Sequence, residues 1–141
     1  MGATINEIQN ELIADFELLD DWMDRYELII GMGGELETMP EGEKTPEHLI
    51  EGCQSRVWIA GELEEATGLL QLRADSDAVI VKGIIAMLLQ VLSGQKPQDI
   101  LDAELYFIDR IGLKEHLSPT RSNGLLSMVR HIKLMAAKAV L

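Results

Sequence analysis

The stretch from Ala78 to Leu92 is apolar almost all the way round, with Lys82 and Gln90 as its only polar interruptions. Its length and lack of turn residues predict a helix, with Asp75-Ser76-Asp77 supplying caps in front and Gly94 ending it. A helix without a polar face has nothing to offer water, so it belongs in the centre of a domain. It is too short for a bilayer, which needs about 20 apolar residues. The rest of the chain must therefore cover a buried rod.

The first cover is legible at the N-terminus. Thr4-Ile5-Asn6-Glu7 reads as a capping box, in which the Thr hydroxyl and Glu carboxylate satisfy free amides of a first turn. Ile5, Ile8, Leu12, Phe16, Leu19, Met23, Tyr26 and Ile30 follow at spacings of three or four, predicting one helix to about Ile29. Gly31, Gly33 and Gly34 are expected to stop it. Residues 31–54 form a long connection, with one helical turn expected where Thr45 precedes Pro46. Alternation through Val57, Ile59 and Leu63, a polar turn from Glu64 to Gly68, and period-two character in Leu69–Ala74 predict a β-hairpin. Gly34–Thr38 is a candidate third strand. After the central helix, short helical pieces are expected from Pro97 to Leu101, over Glu104–Ile111 closed by Gly112, and near Lys114–Leu117. A polar loop over Leu117–Leu125 then feeds a last helix, whose buried face is Leu125, Met128, Val129, Ile132, Met135 and Ala139. The expected architecture is one α+β domain over residues 1–141, a small antiparallel sheet of two to three strands covered by helices.

Charge narrows the function. The formal net charge is −12, and it is unevenly placed: residues 1–54 carry 14 acidic and two basic side chains, against 10 of each in residues 55–141. An acidic surface repels phosphate backbones and anionic lipid, so neither nucleic acid nor membrane is an expected partner. Asn6, Glu7, Asn10 and Glu11 interrupt the first apolar residues, so no secretory signal is read, and Asn6 breaks a myristoylation motif beginning at Gly2. A cytoplasmic location is expected.

The single cysteine, Cys53, leaves no internal disulfide and no cysteine-based zinc or redox pair. It follows Gly52 and precedes Gln54 and Ser55, at a junction between loop and strand rather than within an apolar run. A structural cysteine packs as a small hydrophobe, so this placement favours a reactive thiol. Leu49, Ile50 and Val57 would shelter it, and Gly52 is the hinge candidate. His48, His116 and His131 show no metal-ligand spacing. A cysteine hydrolase with His48 or His116 as base is one rival; a non-catalytic adaptor using the acidic N-terminal helix is another. One cysteine cannot hold an iron–sulfur cluster within one chain.

Two stretches carry a family resemblance: Lys44-Thr45-Pro46-Glu47-His48-Leu49-Ile50 running into Gly52-Cys53-Gln54-Ser55 and Val57-Trp58, and Leu117-Ser118-Pro119-Thr120-Arg121-Ser122 before Gly124-Leu125. Between them, Arg73-Ala74-Asp75-Ser76-Asp77-Ala78 and Ile80-Val81-Lys82-Gly83 match as well. Together they resemble the SufE family of sulfur acceptor proteins, with CsdE-type proteins carrying nearly the same motifs. His48 departs mildly, standing where the family often has Asn. The resemblance implies an IscU-like fold and no cofactor or metal of the chain's own. It implies an accessory protein, not a stand-alone enzyme: Cys53 accepts persulfide sulfur from a SufS-like, pyridoxal-phosphate cysteine desulfurase, stimulates that enzyme, and delivers the sulfur to a SufBCD-like scaffold. It makes Gly52, Gln54 and Ser55 the active-site loop and sets Arg121 near the thiol, as electrostatic support or as a loop-capping salt bridge. Asp75 and Asp77 are read first as helix caps and secondly as partner-interface residues. Trp58 is read as core. A monomer or weak dimer is expected.

Overall fold

The computed structural model describes residues 2–50 and 55–140, so Gly52, Cys53 and Gln54 lie outside the described residues. In chain order the elements are α1 (Ile5–Glu17), α2 (Trp22–Gly34), a 3-10 turn (Glu41–Glu43), β1 (Val57–Glu64), β2 (Leu69–Ser76), α3 (Val79–Leu92), α4 (Pro97–Asp102), α5 (Phe107–Arg110), α6 (Leu113–His116) and α7 (Pro119–Ala139). The α+β architecture is the expected one, with the apolar α3 at its centre and Ile84, Ile85, Met87, Leu88 and Leu92 among its buried side chains. Phe16 of α1, Ile29 of α2, Ile59 of β1 and Ile132 of α7 join them in one core. Burying each such side chain contributes about 1.5–3 kcal/mol.

The N-terminal cover is two helices instead of one. Thr4 and Glu7 form the expected capping box, but the chain turns at residues 18–21 and Asp21 caps a second helix by accepting from the Met23 amide at 3.0 Å. Arg25 holds the corner: its Nε donates to the Leu19 carbonyl at 2.8 Å and its Nη1 to the Ile111 carbonyl at 3.2 Å. Leu18 and Met23 are consequently exposed. The turn lets both helices lay an apolar side on the core, which one straight helix cannot do.

The glycines do not stop α2, which runs through Gly34. Gly33 serves the crossing with α3: a Cβ there would lie 2.8 Å from the backbone nitrogen of Gly83, and a Cβ on Gly83 would collide with the Ile29 carbonyl. The left-handed conformation falls instead at Gly68, Gly94 and Gly112. Gly68 closes the hairpin and Gly112 opens α6.

β1 and β2 pair antiparallel, with Trp58 opposite Asp75 and Glu64 opposite Leu69. Residues 35–40 form no strand. The third pairing comes from further along the chain, where Leu49 bridges Trp58. The Ile50 amide donates to the Val57 carbonyl at 2.8 Å and the Ile59 amide to the His48 carbonyl at 2.9 Å. Thr45–Leu49 makes the expected turn, with the His48 amide donating to the Thr45 carbonyl at 3.0 Å.

Two polar side chains seat the short helices. Gln9, fully buried, donates to the Glu104 carbonyl at 3.0 Å and accepts from the Phe107 amide at 3.1 Å. Lys133 donates to the Ala103 carbonyl at 2.7 Å, at the end of α4. The polar stretch Leu117–Leu125 is mostly helix, not loop: Ser118 is an N-cap accepting from the Arg121 amide at 3.2 Å, and Pro119 occupies the first turn.

Candidate functional site

The segment containing Cys53 leaves the described structure after Ile50 and re-enters at Ser55. Its two flanks are tied down by different means. The incoming flank is the short pairing of His48–Ile50 with β1. The outgoing flank is held at Arg56 by the turn that joins β2 to α3. The Asp77 carboxylate accepts from the Arg56 amide at 3.0 Å, the Asp77 amide donates to the Arg56 carbonyl at 3.2 Å, and the Ser76 hydroxyl donates to that carbonyl at 2.8 Å.

This geometry corrects the reading of Asp75 and Asp77 as caps of the central helix. The N-cap of α3 is Ala78, with no side-chain cap; Ser76 Oγ accepts from the Ala78 amide at 3.2 Å. Asp77 is exposed and serves the outgoing flank. Asp75 is only 5% exposed, so its carboxylate needs partners to remain charged. It accepts from the Ser76 amide at 2.8 Å and pairs with Lys44 at 3.2 Å and Lys82 at 3.4 Å. Burial pushes the Asp75 carboxyl up, but the Ser76 amide and the two ammonium groups together draw it below the ordinary carboxylate value. Lys44 is in turn raised, first by its bond to Glu41 and then by Asp75. Its ammonium also lies 5.4 Å from the centroid of the Trp58 ring. Trp58 is therefore half-buried beneath a cation and not part of the closed core.

Beside this cluster, Arg73 chelates Glu43, with Nε 2.8 Å from each carboxylate oxygen. That bond holds the Glu43 carboxyl below its ordinary value. The His48 ring donates from Nδ1 to the Glu43 carbonyl at 2.6 Å. The 3-10 turn and the Thr45–Leu49 turn are thus fastened to β2 and to each other.

Arg121, in the first turn of α7, is half-buried. It lines a narrow crevice with Ser55, Val81, Ile84, Thr120 and Met128. The structure therefore brings Ser55 and Arg121, distant in sequence, to one place. Among the described residues the Arg121 guanidinium forms no ion pair. The other histidines lie elsewhere: His116 stacks on Trp22 at 3.9 Å and bonds the Gly112 carbonyl, and His131 of α7 is half-buried and hydrogen-bonded to the backbone of Ile59. Among the described residues no cluster of His, Cys, Asp and Glu could hold a metal ion.

Sequence reasoning assigned no role to Lys44 or Lys82, although both carried a signal. Lys82 is the one charge in an otherwise apolar helix, and Lys44 is one of two basic residues among the first 54. A charge in such surroundings needs a partner.

Comparison with known proteins agrees with this picture. The SufE domain, described as an Fe–S metabolism associated domain, matches residues 10–136. An uncharacterized SufE-like protein of Rhizobium meliloti (strain 1021) is 43% identical over 130 residues, covering 88% of this chain and 91% of the relative. A second, from Rhizobium etli, is 40% identical over 129 residues, covering 88% and 86%. The solution structure of a hypothetical protein from Thermus thermophilus superposes with a TM-score of 0.78 over 94% of this chain and 96% of that one. Its identity is 21%, so this likeness speaks for the fold alone. The chain belongs to the SufE family of Fe–S metabolism proteins.

Proposed function

We propose that the protein is a sulfur carrier that takes persulfide sulfur onto Cys53 from a SufS-like, pyridoxal-phosphate cysteine desulfurase. It stimulates that enzyme and passes the sulfur to a SufBCD-like scaffold for cluster assembly. The observation that carries this reading is the SufE match over residues 10–136, a span containing the chain's single cysteine within Gly52-Cys53-Gln54-Ser55. The flanks support it, because Ile50 and Arg56 on either side of the segment are each hydrogen-bonded to the folded domain.

The transfer is an exchange at sulfur. The Cys53 thiolate attacks the outer sulfur of a persulfide on the donor enzyme. A new S–S bond forms at Cys53, the donor's S–S bond breaks, and the donor cysteine leaves as thiolate, so no external oxidant is needed. The rate depends on the thiolate fraction, and an ordinary cysteine with a pKa near 8.5 is only a few per cent ionised at neutral pH. Arg121, free of carboxylate partners among the described residues and in a crevice with Ser55, supplies the positive charge that favours the thiolate. The protein acts as a monomer or weak dimer in the cytoplasm.

Intact-protein mass spectrometry after mixing with a SufS-type desulfurase and free cysteine tests the reading. The expected result is a gain of one or more sulfur atoms, reversed by reductant and absent in Cys53→Ser. No gain on folded protein with an accessible thiol would overturn it and leave the adaptor reading, in which the acidic helices dock a partner.

A further inference from the structure

Two surfaces of opposite character meet at the α5–α6 segment. One is the corner between α1 and α2. Leu18 is 82% exposed there and Met23 61% exposed, and residues 17–24 carry Glu17, Asp20, Asp21 and Asp24 without a basic side chain. The other is an apolar groove of about 180 Å³ lined by Leu105, Ile108, Leu125 and Val129, with Leu126 47% exposed among them. Lys114 and Lys133 line it as well. The helix that forms one wall, α7, holds Arg121, Arg130, Lys133 and Lys138 and no carboxylate in its 21 residues, within a chain of net charge −12. The α5–α6 segment makes these surfaces neighbours. Arg110 pairs with Glu17 at 3.4 Å and His116 stacks on Trp22, while Ile108, Asp109 and Lys114 line the groove.

We propose that the two surfaces are the halves of one interface, through which two copies of the chain form a symmetric dimer. Leu18 and Met23 of each copy seat in the groove of the other, among its cations. Because the surfaces are neighbours, a two-fold axis lets both contacts form at once, and the pairing closes at two copies.

Each surface holds the charge that the other lacks. Asp20 and Asp24 at the corner, and Arg130 beside Val129 of the groove, enter no ion pair among the described residues. Lys133 bonds the Leu101 and Ala103 carbonyls, which leave its charge in place. The Lys114–Asp109 pair at 3.5 Å is exposed, so exchanging Asp109 for a carboxylate of the second copy costs little. The corner is also rigid before it docks. Arg25 ties it through the Leu19 and Ile111 carbonyls, so little further ordering is needed on association. Elsewhere the net negative charge pushes the copies apart, which keeps the dimer weak.

Sedimentation equilibrium of the full chain from about 10 μM to 1 mM tests the interface, in reductant so that the single cysteine cannot cross-link copies. The wild type is expected to form dimers in this range and nothing larger. Leu18→Ser, Asp24→Lys and Arg130→Glu are each expected to weaken association about tenfold. An equimolar mixture of the Asp24→Lys and Arg130→Glu chains is expected to regain the native association, since each mixed pair restores opposite charges at both contacts. Misfolded chains could not produce that rescue. A wild type still monomeric at about 1 mM would overturn the dimer and leave the groove to an acidic segment of a different protein. Association that none of the three substitutions moves, or a mixture no tighter than its components, would overturn the assigned interface. Sedimentation uses no donor enzyme, so a failure of sulfur loading would refute the carrier reading without touching this result.

Discussion

Gly33 of α2 and Gly83 of α3 meet backbone to backbone: a methyl group on Gly33 would lie 2.8 Å from the Gly83 nitrogen. Hydrogen is the only substituent that this approach admits. The central helix, apolar on every side, is thereby covered by a neighbour's main chain as well as by side chains.

Gly83→Ala is expected to destabilise the protein by about 3 kcal/mol, because the added carbon meets the main chain of Ile29, which cannot rotate aside. Gly31→Ala, in the same α2 helix but with nothing within 4 Å of the added carbon, should instead be neutral or stabilising by about 0.5–1 kcal/mol. Urea midpoints of the two variants give the comparison. Equal effects would mean that helix propensity, and not the crossing, governs these positions.

Stability should fall in two steps as the solution is acidified. Burial holds His131 below the ordinary imidazole value of 6.5, despite its hydrogen bond to the Ile59 backbone and with His48 and Lys138 nearby adding to the depression. The unfolded chain therefore binds a proton that the folded one resists. This contribution is present above pH 6.5 and is lost as the pH drops below it. Asp75 behaves likewise at lower pH: its folded value lies below the ordinary 3.8, so its contribution is present above 3.8 and is lost as the pH falls through the folded value. Urea midpoints measured across both windows should show the upper step vanish in His131→Gln while the lower one remains.

The proposed electrostatic role of Arg121 predicts that Arg121→Ala slows alkylation of Cys53 at neutral pH by about tenfold and moves its pH profile upward. Arg121→Lys should retain part of the effect as a point charge. The pH dependence of iodoacetamide labelling separates this from a purely structural role, which would leave the profile where it is.

What could be read from the chain was what depends on neighbours in sequence. The capping box at Thr4 and Glu7, the hairpin with its turn closed by Gly68, and α3 as a helix with no polar face are all local patterns. The turn at residues 18–21 escaped this reading because Leu19 and Met23 continue the helical phase of the residues before them. Only packing decides that the Asp21 carboxylate folds back to cap a new helix. The start of α7 at Ser118-Pro119 was written in cap chemistry and masked by the polar residues that follow.

The sequence alone determined that an apolar helix would be buried, that a hairpin would stand beside it, and that one cysteine would sit in a SufE-type motif. Hydrophobic periodicity and short motifs are sufficient for such statements. The tertiary structure decided that Gly33 and Gly83 are a crossing point, that Ser55 and Arg121 share a crevice, and that Asp75 is a buried carboxylate shared by Lys44 and Lys82. Each of these joins residues far apart in the chain, through strand register or helix packing. Their energies depend on distance and on exclusion of water, and neither is defined until the chain has folded.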